Sequence, residues 1–131
     1  MDGLEFEQFC AQLLRDNGFN HVEVTKGSGD FGIDILAEKM GVTFAIQCKC
    51  CQSKVGNSAI QEASSGRDYY NRMVGVVMTN NSFTPQAEET AERTKILLWD
   101  RSEIEKMIAF QGGKSRNLCK GKVPVILGEP V

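Results

Sequence analysis

The sequence predicts an α/β fold with elements in the order αβββαβαβα, and three observations lead there. Near the N-terminus, apolar residues recur at three- and four-residue steps, as they do along one face of a helix. Three short runs of strand character then follow one another between residues 21 and 49, separated only by turn residues. From Asn57 onward, helical and strand patterns alternate.

The first helix is expected over residues 2 to 17. Asp2 can cap it together with Glu5, three positions on, while Phe6, Phe9, Cys10, Leu13 and Leu14 form its apolar stripe and Gly18 ends it. Strands are expected at 21–25, 33–37 and 42–49, with the turn KGSGD before the second and EKMG before the third. A helix from about 57 to 71 precedes VGVVMT, residues 74–79, which is apolar on both faces and so suits the centre of a sheet. Thr84 and Pro85 are a cap and a first-turn residue for a helix reaching about 93. ILLW, residues 96–99, reads as a strand, and Ser102 with Glu105 as the capping box of a last helix ending near Phe110.

Beyond that point the pattern lapses. QGGKSRNLCKGK is basic and glycine-containing, and VPVILGEPV is short and broken by proline. The chain therefore divides into a folded domain, residues 1–110, and a peripheral tail, 111–131, whose Lys114, Arg116, Lys120 and Lys122 make a local positive patch.

At 131 residues, 41% hydrophobic and 24% charged, the chain fits one soluble domain with one core. It holds no apolar run long enough for a membrane span and no secretory leader pattern. Five cysteines, Cys10, Cys48, Cys50, Cys51 and Cys119, form an odd set without CxxC spacing, which points to a reducing cytoplasm. A net charge of −2 excludes a protein that grips nucleic acid by bulk charge alone, so any such contact must be local or assisted.

The informative stretch is DFGIDILAEKMGVTFAIQCKC, residues 30–50. On the third strand, Phe44, Ile46 and Cys48 share the core-facing side, whereas Gln47 and Lys49 share the other. A hairpin turning near Met40 and Gly41 would bring Asp34 opposite or nearly opposite Gln47, with Ile33 and Ile35 on the apolar side. A carboxylate, an amide oxygen and an ammonium beside a free backbone carbonyl can hold one hard divalent cation and a water. That donor set suits phosphodiester hydrolysis.

Asp34 followed by Gln47-Cys48-Lys49 resembles the D…(D/E/Q)xK signature of the PD-(D/E)xK nuclease superfamily, and its surroundings resemble the Mrr-type restriction endonucleases. The resemblance runs through MDGLEFEQFCAQLLRDNGF, VTKGSGDFGIDILAEK, IQCK, VGNSAIQEASSGRDYY, TNNSFTPQAEETA and LLWDR, roughly residues 1 to 108. It implies a restriction-endonuclease-like αβββαβ core with a mixed central sheet flanked by helices. It also implies a Mg2+-dependent DNA endonuclease, with Mn2+ as a substitute, acting in restriction or DNA processing.

Carried over residue by residue, the resemblance makes Asp34 the metal-binding carboxylate and Lys49 the residue that orients water and offsets charge on the scissile phosphate. Gln47 stands where most of the superfamily has an acid, which is typical of the Mrr-type subgroup. Glu7 and the backbone carbonyl of Cys48 complete the expected metal donors. Gln61 matches a family position near the site, and Lys26, Ser28, Lys54, Arg67 and Arg72 are candidate DNA contacts. Asp30 can bond its own turn. A homodimer would allow both strands to be cut, and an upstream DNA-recognition or anchoring domain outside this chain would supply targeting. Two other readings compete: a catalytically weak DNA-binding module of the same fold, and a cysteine-based redox or metal-sensing protein built on Cys48, Cys50 and Cys51.

Overall fold

A computed structural model describes residues 1–25 and 32–110. Helix α1 (Gly3–Asp16) leads into strands β1 (Asn20–Val24), β2 (Ile35–Lys39) and β3 (Val42–Lys49), and these are followed by α2 (Asn57–Tyr69), β4 (Val74–Thr79), α3 (Pro85–Thr94), β5 (Ile96–Trp99) and α4 (Arg101–Phe110). The five strands form one mixed sheet in sequential order. β1, β2 and β3 are an antiparallel meander, whereas β4 and β5 run parallel to β3. The expected α/β architecture and element order are the observed ones.

The caps explain most of the boundaries. Asp2 and Glu5 form a reciprocal capping box at the start of α1, and Gly18 leaves that helix with φ +93°. Thr84 accepts from the Ala87 amide, with Pro85 in the first turn of α3. α4 departs from expectation: Asp100, not Ser102, accepts from the Glu103 amide, and Glu105 pairs instead with Arg101 at 3.1 Å. The helix begins two residues earlier than expected, capped by the aspartate that directly follows the strand.

Helices cover both faces of the sheet. On one face, Phe6, Cys10, Leu13 and Leu14 of α1 and Ile104 and Met107 of α4 pack on Ile35, Ala37, Ile46, Val76 and Met78. On the other, Ala59, Ile60 and Ala63 of α2 and Ala87 and Ala91 of α3 pack on Val77 and Ile96. Parallel strands joined by right-handed crossovers that all step in one direction put their helices on one face, and α2 and α3 obey this. The parallel strands β3, β4 and β5 all end at the same edge.

Candidate active site

Asp34 lies just before β2, at a break in the ladder. The register Ile35↔Ile46 would set Asp34 opposite Gln47. Its amide instead donates to the Ile46 carbonyl at 2.8 Å, one residue short of that register, while its carbonyl still accepts from Thr25, just past β1, at 2.9 Å. Such a slip re-aims side chains, and it does so here. Ile33 does not join Ile35 as alternation predicts; it packs on the opposite face with Leu36 and Ala45. Asp34 turns toward α1, where the Glu7 carboxyl hydrogen-bonds it. The Cys48 amide donates to Asp34 Oδ2 at 2.8 Å.

These contacts couple the two acids. Burial first, then the charge of Asp34 and the hydrogen bond to it, push Glu7 up to about 7. Asp34 is also raised, chiefly by burial, against the lowering influence of the Cys48 amide, the Glu7 hydrogen bond and the Lys49 ammonium. Two carboxyl groups this close favour one shared proton in the absence of a cation.

Gln47 faces away from the Ile46 side, as alternation requires, but it is not solvated. It is 1% exposed, because α2 covers that face as well. Its Nε2 donates to Glu62 Oε1 at 2.8 Å, and its buried Oε1 has no hydrogen-bond partner. The sequence pattern does not mark Glu62, which is exposed on α2 between the buried Ile60 and Ala63 and reaches Gln47 by its side chain. Lys49 is half-buried at the end of β3, beside Thr79, with its ammonium acting on Asp34.

Asp34, Gln47, Lys49 and Glu7 thus converge at one end of the sheet. Among the described residues no three His, Cys, Asp or Glu side chains form a ready metal cage. The donor set is sparser, two carboxyls and an amide, which is what a cation that retains its own waters requires. The orphaned Gln47 oxygen fits such a ligand, since a buried acceptor without a partner is otherwise costly.

The expected DNA contacts are more dispersed. Lys26, Ser28 and Asp30 lie outside the described residues. Lys54 and Gln61 are exposed. The Arg67 guanidinium is engaged with the Thr94 carbonyl at 2.8 Å, the Ser64 hydroxyl and Asp68, tying α2 to the end of α3. Arg72 reaches the Ala37 carbonyl. Past Lys49, Asn80 Oδ1 accepts from the Cys51 amide and Asn81 Nδ2 donates to the Cys51 carbonyl, so the TNNS segment braces the loop that follows the site.

The cysteines pack as their alternation predicts: Cys48 and Cys50 lie against the α1 face and Cys51 against the other. All four described cysteines are free thiols. A hydrogen bond with Cys10, together with burial, pushes Cys48 well above the ordinary thiol range, which keeps it from the thiolate form that metal binding or redox exchange needs.

This fold is that of restriction endonucleases. The chain superposes on AspBHI, a DNA modification-dependent restriction endonuclease, with TM-score 0.61 at 22% identity, covering 79% of this chain and 30% of that one. It superposes on the MspJI restriction endonuclease, solved with a 27-mer oligonucleotide, with TM-score 0.62 at 19% identity, covering 86% and 29%. AF1548, a protein of unknown function, gives TM-score 0.67 at 22% identity over 98% of this chain and 73% of that one. The chain therefore spans under a third of either restriction enzyme. No curated protein matches it. It belongs to the Mrr_cat family of restriction endonucleases, which it matches over residues 1–108. No helix among the described residues is long and apolar enough to cross a membrane.

Proposed function

We propose that residues 1–110 are the catalytic domain of a Mg2+-dependent DNA endonuclease that works in restriction or DNA processing. The observation that carries this is the bulged Asp34, held by the Cys48 amide and facing the Lys49 charge, with the buried Oε1 of Gln47 left without a partner on the same strand end. Asp34, Gln47 and Glu7 would hold the cation through oxygen, with the Cys48 carbonyl as a further donor and Mn2+ as a substitute. When bound, such an ion polarises a phosphoryl oxygen and lowers the pKa of water.

The chain's own groups have distinct tasks. Lys49 offsets negative charge as it develops on the phosphate. The Cys48 amide holds Asp34 in one orientation. Glu7, poised near neutrality, gives up its proton when a cation takes its place. Cleavage of both strands would need two such domains, most simply a homodimer, and DNA recognition would come from a further domain. The four free thiols among the described residues suit a reducing cytoplasm.

A second reading, a DNA-binding module of the same fold, is favoured by one feature: Gln47 is a neutral ligand where an acid would bind a cation more tightly. Cleavage of supercoiled plasmid at low salt with Mg2+ or Mn2+ separates the two. Wild type should nick or linearise the plasmid, and Asp34→Ala and Lys49→Ala should not. Plasmid left intact by all three, with Mg2+ binding absent by calorimetry, would favour the binding module.

A further inference from the structure

Glu62 is the acid that the nuclease signature does not account for. It sits on α2, with Ile60 and Ala63 buried on either side of it, and its Oε1 accepts from Gln47 Nε2 at 2.8 Å. Gly32 closes the other side of the pair. It has φ +71°, and a Cβ there would collide with Gln47 Nε2 and stand 2.9 Å from Glu62 Oε1. The side-chain amide is thus boxed between a turn that tolerates only glycine and a helix that presents a carboxyl group.

The two ends of an amide have nearly one shape but opposite hydrogen-bonding character. A carboxylate only accepts, so it admits the NH2 end and rejects the carbonyl end. The amide oxygen must then face elsewhere, and it is buried without a partner. A neutral side chain at 62 would lose this discrimination, because a second amide can donate or accept.

We propose that Glu62 is a positioning residue that locks the Gln47 amide with Oε1 presented to the bound cation; this rests on the cation reading above. Glu62 acts through Gln47. Its negative charge also reaches Asp34, so the site contains three acids, of which Glu62 is the one committed to orientation.

The test pairs two measurements on the whole chain: the Gln47 side-chain NH2 signals of metal-free protein by 15N-1H NMR, and Mn2+ affinity by calorimetry. In wild type the two NH2 protons should be widely separated in shift, one of them held by Glu62. In Glu62→Gln, isosteric and still folded by its backbone spectrum, the separation should shrink or the signals double, and Mn2+ binding should weaken about 10-fold. Gly32→Ala should disturb the same signals from the opposite side. Unchanged Gln47 signals and equal Mn2+ affinity in Glu62→Gln would overturn the role of Glu62 alone. Wild type that takes up no Mn2+ would remove the cation reading, and this inference with it.

Discussion

Ile46 and Gln47 are chain neighbours on β3, 0% and 1% exposed, and they meet opposite surroundings. Ile46 lies among the apolar side chains of α1, α4 and the central strands. Gln47 lies under α2 with one end bonded to Glu62 and the other unpaired. A sheet covered on both faces leaves no solvated side on which to put a polar group. One that persists inside, near the strand's end and with an unmet acceptor, costs stability, which is the observation that the proposed cation ligand explains.

Five substitutions would break or sharpen that contrast. The largest effect is expected at the charged end: Asp34→Ala and Lys49→Ala should each lower initial rates of plasmid cleavage by about 100-fold or more while leaving the circular dichroism spectrum intact. Ile46→Ala should act on the other side of the comparison, costing about 2–5 kcal/mol in urea denaturation, and cleavage at low temperature should survive. Should Ile46→Ala instead abolish cleavage in folded protein, the two faces are not separable.

Gln47→Met keeps the shape and removes the orphaned oxygen, so stability should rise by about 1 kcal/mol as Mg2+ binding falls. A loss of stability would mean that the amide is a structural group. The smallest effect concerns pH. Folded Glu7 keeps its proton up to about 7, whereas the unfolded side chain releases it near 4.5. Between those values the folded chain binds more protons, so stability present in acid is lost as pH rises. Glu7→Gln should therefore melt higher than wild type at pH 8, by on the order of 1 kcal/mol after solvent screening, and equally at pH 4. Equal melting at both pH values would show that Asp34 and Glu7 do not share a proton.

Much of this was legible beforehand. The periodicities of α1 and β3, the Asp2–Glu5 box and the Thr84–Pro85 start depend on residues a few positions apart, and short-range rules capture them. Asp34, Gln47 and Lys49 could be brought together because one hairpin holds them. Glu7 came through family resemblance, since its contact with Asp34 crosses from a helix to the sheet. The burial of Gln47 and its bond to Glu62 were not legible, because they depend on which face α2 covers, a property of the crossover and not of either segment. The inversion of Ile33 escaped for a related reason: alternation assumes an unbroken ladder, and the slip at Asp34 breaks it. Arg67 looked like a free cation and is spent on the Thr94 carbonyl, a partner 27 residues away.

The hydrogen bond from the Cys48 amide to Asp34 Oδ2 ties local breathing of the strand end to the proposed site. An amide that would ordinarily serve the sheet is closed by the Asp34 carboxylate proposed above as a cation ligand, so a fluctuation that unlatches this strand end also loosens Asp34. The exchange rate of that single amide proton with solvent then becomes a gauge of how often the site falls out of readiness, legible in the resting protein without substrate or turnover.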